Sequence, residues 1–259
     1  MEVVIAEERE LTGLAAGAVE RLLREKPTAV LGLATGSTPM PVYDELARRH
    51  REEGLSFAGA RGFLLDEYVG LSRDHPQRYR RVISQEIVER VDWPEEKVLG
   101  PEGLAEDLAE ACARYELSIA EAGGIDLQLL GIGADGHVAF NEPGSSLASR
   151  TRVKSLTAQT REDNARFFDS PEEVPVHCLT QGLGTISEAR HLVLLAIGEH
   201  KAPAVRQLVE GAISARWPAT VLQLHPHVTV LVDEAAASGL ELSDYYRQAF
   251  ASKPEGQGI

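Results

Sequence analysis

Ala29-Val30-Leu31-Gly32-Leu33-Ala34-Thr35-Gly36-Ser37-Thr38-Pro39 runs from an unbroken apolar stretch into a glycine-hydroxyl turn and a proline. The first six residues carry no polar position and are too few for a helix, the pattern of a strand buried on both faces. Pro39 suits the first position of a helix with Ser37 or Thr38 as its cap, and helical periodicity follows over residues 39–53. A buried strand feeding a helix through a short turn is the repeating unit of a parallel sheet.

The same unit recurs outward from that stretch. Gly62-Phe63-Leu64-Leu65 reads as a second strand, followed by a helix over residues 79–91 with Val82, Ile83, Ile87 and Val88 as its apolar positions. A third helix over residues 104–122 leads into a strand over 125–132, and apolar strands over 191–197 and 228–232 each precede a helical pattern. The expected class is α/β, a Rossmann-like and mainly parallel sheet with helices on both faces, in a single domain over residues 1–252. Residues 253–259 are polar and glycine-containing and are expected to form a loose C-terminal tail.

At 259 residues the chain suits one large domain and can bury most of its apolar surface without disulfides. Its two cysteines, Cys112 and Cys178, sit in apolar segments without metal-type spacing, which fits a reducing compartment. The first ten residues are too acidic for a signal peptide and no apolar run is long enough to span a bilayer, so a cytoplasmic location is expected. A formal net charge of −14 argues against nucleic acid or an anionic membrane as partner. A small anion remains compatible with it: between Pro143 and Arg161 there is no Asp or Glu, while Arg150, Arg152, Lys154 and Arg161 are basic. That segment reads either as a local anion site or as a solvated stripe.

In a sheet of this kind, ligands bind beyond the carboxyl ends of the strands. After the first strand, the turn Thr35-Gly36-Ser37-Thr38 brings backbone N–H groups, a permissive glycine and three hydroxyls to a helix start, which suits a phosphate or serves as an ordinary capped turn. It lacks the lysine and the spacing of a Walker loop. After the second come Asp66 and Glu67, one aimed toward the crevice and one away; Asp66 reads as a general base, or as a helix cap or a surface acid. Lys201, beyond the strand over 191–197, reads as a phosphate ligand or a solvated lysine.

After the third strand comes the richest stretch, Gly131-Ile132-Gly133-Ala134-Asp135-Gly136-His137 and then Val138-Ala139-Phe140-Asn141-Glu142-Pro143-Gly144. Its three glycines satisfy the letter of a dinucleotide fingerprint, but Asn141, Pro143 and Gly144 preclude the helix that fingerprint opens, and the later ribose-binding acid is missing. What it supplies instead is His137 between Asp135 and Glu142, an imidazole whose tautomer and proton affinity two carboxylates can set. No GxSxG elbow accompanies it. His225 and His227 have a spacing a metal can use, but without a third ligand they read as structural.

Taken together, these segments resemble the glucosamine-6-phosphate deaminase (isomerase) family over nearly the whole chain. The matching stretches are residues 31–39, 65–71 and 131–152, with Thr160-Arg161, Asn164-Ala165-Arg166-Phe167-Phe168, residues 198–201 and Leu222-Gln223-Leu224-His225. The Phe140-Asn141-Glu142-Pro143 continuation separates this pattern from the related 6-phosphogluconolactonases.

The resemblance implies conversion of glucosamine 6-phosphate to fructose 6-phosphate and ammonia through an enolamine, with neither metal nor organic cofactor. It makes Asp66 the base that moves a proton from C2 to C1, and His137 the ring-opening group with Asp135 and Glu142 as partners. Thr35, Gly36, Ser37, Thr38, Arg166 and Lys201 match the phosphate cradle. Many members are hexamers activated by N-acetylglucosamine 6-phosphate; the residues of that allosteric site match Ser145, Arg152, Lys154 and Ser155, where the family usually has Thr. A homo-oligomer is accordingly expected. Two rivals stay open: an enzyme for another sugar phosphate, such as a lactonase or a galactosamine 6-phosphate isomerase, and a catalytically silent sugar-phosphate sensor.

Overall fold

The computed structural model describes residues 1–254 and 257–259. In chain order its elements are β1 (Glu2–Ile5), α1 (Glu8–Glu25), β2 (Val30–Leu33), α2 (Met40–Glu53), β3 (Arg61–Leu64), β4 (Asp66–Tyr68), α3 (Tyr79–Glu86), β5 (Val98–Leu99) and α4 (Leu108–Glu121). They continue as β6 (Leu127–Leu130), β7 (Arg152–Ser155), α5 (Ala158–Ala165), β8 (His177–Thr180), α6 (Leu183–Ile186), β9 (His191–Ala196), α7 (Ala202–Glu210), β10 (Val228–Val232) and α8 (Ser243–Ala251).

Seven strands form one sheet in the order β1-β10-β9-β6-β2-β3-β5, and all of its pairs are parallel. Every residue of β2, β6, β9 and β10 is buried, so these strands carry no polar face. Alternation then divides their side chains between two cores. Leu31, Leu33, Leu127, Leu129, Val193 and Leu195 pack with Leu11 and Val19 of α1 and Tyr43 and Leu46 of α2. Val30, Leu130, Leu192, Leu194, Val228 and Val230 pack on the other face with Tyr115 of α4 and Val205 and Leu208 of α7. Each such side chain contributes roughly 2 kcal/mol by leaving water.

A second sheet, β4-β8-β7, is antiparallel and was not expected from the sequence. It grows directly from the first: β4 begins one residue after β3, and Gln181 N–H donates to Leu65 O at 2.7 Å where the two sheets meet.

Element ends differ from the periodicity in places. The helix expected over 79–91 stops at Glu86 and passes into a 3₁₀ turn at Val88–Arg90. The one expected over 104–122 begins at Leu108, where the Asp107 carboxylate accepts the Glu110 N–H. Of the expected C-terminal tail, Glu255 and Gly256 lie outside the described residues, Lys253 Nζ reaches Glu2 Oε1 at 2.6 Å, and Ile259 packs with the α1–α2 core. No helix among the described residues is long and apolar enough to cross a membrane.

Candidate active site

The strand order reverses between β2 and β6: from β2 the chain proceeds outward to β3 and β5, then returns to β6 on the other side and continues to β9 and β10. Such a reversal opens a crevice at the carboxyl ends of the strands. Because β9, β6, β2 and β3 are successive neighbours, the segments that follow them share one edge of the sheet. Lys201, the 131–142 loop, the 35–38 turn and Asp66 therefore line up along it in that order.

The 35–38 turn leaves β2 with Gly36 at φ +96°, a conformation L side chains resist. Tyr43 of α2 pins its origin: the hydroxyl donates to Ala34 O at 2.8 Å and accepts the Ala34 N–H at 3.1 Å. The expected hydroxyl cap is absent. Helix α2 starts at Met40 behind Pro39, and no side chain bonds to its first amides. Pro41 has no N–H and the Val42 and Tyr43 N–H groups go to Pro39 O, so of the first-turn amides the Met40 N–H is the one left open to an anion among the described residues.

Asp66 and Glu67 diverge as alternation demands. Glu67 turns inward, where its carboxylate accepts the N–H groups of Tyr68, Tyr79 and Arg80 at 2.9–3.0 Å, with Arg78 Nε at 3.6 Å. It thereby holds the first turn of α3 from twelve residues away. Asp66 is 6% exposed and accepts no hydrogen bond from the described residues. Burial, reinforced by the Glu67 charge, pushes its carboxyl from the usual 3.8 up to about 8.

The 131–142 loop folds over its own glycines. His137 O accepts the Gly133 N–H at 2.9 Å, and a Cβ on Gly133 would stand 2.2 Å from the His137 ring, so the imidazole lies against bare backbone. His137 Nδ1 sits 2.7 Å from Asp135 Oδ1 and 3.8 Å from Glu142 Oε2. Burial works against the Asp135 charge, but the adjacent imidazole outweighs it and holds that carboxyl well below its usual range. The three donor atoms lie within 4.8 Å of one another, which makes this the only cluster among the described residues with the spacing a cation needs.

Between His137 and Glu142 the chain turns at Ala139, whose φ of +52° makes it the one non-glycine in the left-handed region among the described residues. Asn141, fully buried, secures the turn: Nδ2 donates to Val138 O and Gln181 O, and Oδ1 accepts from Arg152 Nη1 at 2.9 Å. Glu142 Oε1 accepts from Thr160 Oγ1 at 2.5 Å. Tyr68, Phe140, Leu156 and Cys178 form a small apolar cluster beside these groups.

Residues 7–231 match the family model for glucosamine-6-phosphate isomerases and 6-phosphogluconolactonases. The chain belongs to this family. A member from Mycolicibacterium smegmatis, named glucosamine-6-phosphate deaminase, is 63% identical, with both chains covered in full. The solved structure of a monomeric glucosamine-6-phosphate deaminase is 45% identical with a TM-score of 0.90, covering 92% of this chain and 100% of the other. A 6-phosphogluconolactonase from Trypanosoma cruzi, 24% identical with a TM-score of 0.71, covers 93% of this chain and 97% of its own, and shares the fold.

The remaining residues that the sequence singled out are scattered around this family site. Lys201 ends the 3₁₀ turn that follows Gly198 and leads into α7. Arg166 ends α5, exposed, with its guanidinium 4.7 Å from the centre of the Phe167 ring. Arg152, Lys154 and Ser155 lie on β7, and Ser145 is buried with its hydroxyl unpartnered among the described residues. The acid-free basic segment does not form one patch: Arg150 pairs with Glu116 and Glu188, Arg152 turns to Asn141, and Arg161 donates to Val174 O and Pro171 O. His225 Nε2 donates to Ala189 O at 2.7 Å and Nδ1 accepts the His227 N–H at 3.1 Å, a backbone anchor. Thr157 and Thr180, which help bind the site together, carry no signature in the sequence, and Asn141 and Thr160 entered its reading only as parts of matching stretches.

Proposed function

We propose that this family member converts glucosamine 6-phosphate and water to fructose 6-phosphate and ammonia. The observation that carries the reading is the pairing of two unlike acid–base devices on one sheet edge. Asp66 is a buried carboxylate without a donor, and its raised proton affinity suits removal of a weakly acidic C–H proton. His137 with Asp135 and Glu142 is a polar proton-handling group suited to oxygen. A lactonase reaction has no use for a carbon base, and neither does a silent sensor. The 63% identity to a glucosamine-6-phosphate deaminase over the full chain points the same way.

In this reading the 35–38 turn, with Arg166 and Lys201, receives the phosphate. His137, steadied by Asp135 and Glu142, moves the proton between the anomeric hydroxyl and the ring oxygen, and the pyranose opens to the aldehyde. As the substrate ammonium passes a proton to the aldehyde oxygen, Asp66 takes the C2 proton, leaving an enolamine, and returns that proton to C1. Water then adds at the C2 imine carbon and ammonia leaves, giving the ketose. Every step is a proton transfer or an addition of water, so the residues named suffice without an electron carrier.

The proposal places the protein in the cytoplasm and extends to a homo-oligomer responding to N-acetylglucosamine 6-phosphate at Ser145, Arg152, Lys154 and Ser155. Sedimentation and a rate curve with and without that compound test this extension, and a monomer with unchanged kinetics removes it. The main reading is tested by giving the purified protein glucosamine 6-phosphate and measuring both products. Ammonia and fructose 6-phosphate in equal amounts are expected; lactone hydrolysis without ammonia, or tight binding without turnover, would replace it.

A further inference from the structure

Glu142 uses its two oxygens differently. Oε1 lies 2.5 Å from Thr160 Oγ1 and 3.5 Å from Thr157 Oγ1, whereas Oε2 has no hydrogen-bond partner among the described residues and stands 3.8 Å from His137 Nδ1. Thr160 is itself only 6% exposed and belongs to α5, far along the chain from the loop it touches.

Counting protons orients the whole arrangement. The Thr160 hydroxyl donates to Glu142 Oε1. Having spent its proton, that hydroxyl accepts from Thr157 Oγ1, 2.9 Å away. Thr157 in turn accepts the Thr160 backbone N–H at 3.1 Å as the N-cap of α5. A directed chain therefore runs from the helix amide through two hydroxyls to Oε1, each bond polarising the next. The carboxylate is gripped by one oxygen and offers the other, bare, to the imidazole.

We propose that Thr160 is a positioning residue that fixes the plane of the Glu142 carboxyl for the ring-opening half of the reaction. The proposal rests on the reading of Glu142 as a partner of His137. Withdrawing the hydroxyl removes a charge-assisted donor from a buried carboxylate and frees the group to rotate. The helix α5 is thereby tied to catalysis through its cap: the same two threonines that start the helix set the carboxylate.

The test compares Thr160→Val, close in shape but without the donor, with Thr160→Ser, which keeps it. Thr160→Val is expected to lower kcat about ten- to a hundredfold. KM should change little. Thr160→Ser should restore kcat. A merely structural threonine would lower stability and leave the kcat of the folded enzyme where it is. If Thr160→Val does not fold, Thr160→Ala carries the same expectation. Glu142→Gln, run alongside, separates the two readings. An active Glu142→Gln overturns the role of Glu142 itself; an inactive one beside a Thr160→Val enzyme of unchanged kcat overturns only the role of Thr160.

Discussion

Asp66 stands opposite Thr180 in the antiparallel pair of β4 and β8, and the Thr180 hydroxyl accepts the Phe140 N–H at 3.2 Å. One residue of the second sheet thus touches both halves of the candidate site, the carboxylate after β3 and the histidine loop after β6. The next residue repeats the connection, since Gln181 O accepts from Asn141 Nδ2 while Gln181 Nε2 donates to Leu64 O. The relative placement of the two acid–base devices is therefore set by β8 and not by the loops that carry them.

Asp66→Asn keeps the shape of the side chain and removes its basicity. Turnover is expected to fall about a hundred- to ten-thousandfold while substrate binding persists. Isothermal titration beside a coupled ammonia assay checks both, and wild-type turnover removes Asp66 from the mechanism.

The same substitution has a stability consequence with a definite sign. Asp66 holds its proton more tightly folded, at about 8, than at the usual 3.8, so the folded chain binds more protons in between. The stability this group contributes is fully present at the acid end of that window and is lost as the pH rises through about 8. Asp66→Asn should accordingly gain melting temperature over the wild type, more at pH 8.5 than at pH 5, both read by thermal unfolding. An equal difference at both values would contradict it.

Activity should carry the same signature. A base that must be ionised to act, titrating at about 8, makes kcat/KM of the wild type climb with pH toward that value. A profile that is level from pH 6 to 9 would show that the ionisation of Asp66 does not limit the reaction.

Gly133→Ala should uncouple the histidine. The added Cβ would overlap the His137 ring at 2.2–2.5 Å, and displacement of an acid–base group by about an ångström costs on the order of a hundredfold in kcat. Gly13→Ala, in the interior of α1 with open space around its Cβ, is the control: it should leave kcat alone and raise stability by about 0.5–1 kcal/mol. Comparable kcat values for the two variants would refute the packing argument.

Glu67→Ala strips the buried cap from α3, strands three amides and takes one of two carboxylates from Arg78, which keeps Glu102. A loss of about 3 kcal/mol is expected in urea unfolding, with a smaller loss for Glu67→Gln, which keeps acceptor capacity on one side. Glu67 is thus the structural member of the adjacent acidic pair, and a wild-type midpoint for Glu67→Ala would reverse that assignment.

Local pattern alone determined a great deal of this protein. An apolar strand needs both faces covered, and the helices between strands provide the cover, so the parallel sheet was legible in runs such as residues 29–34 and 228–232. Its strand ends then named Asp66, His137, Asp135 and Glu142, because carboxylates and imidazoles stand out against a Gly-rich turn. The division of Asp66 from Glu67 also followed from alternation.

What the tertiary structure decided were the pairings between residues far apart in the chain. Strand β4 is three residues long and polar at two of them, so no periodicity could reveal it; it exists because β8 arrives to bond it. The cap of α2 was expected from Ser37 or Thr38, yet the helix starts uncapped. The cap of α3 came instead from Glu67, twelve residues away. Thr160, Thr180 and Asn141 are common polar residues whose meaning lies wholly in what they meet. A hydrogen bond is directional and short, so which hydroxyl reaches which carboxylate is fixed only when the sheets have brought distant segments within 3 Å or so of each other.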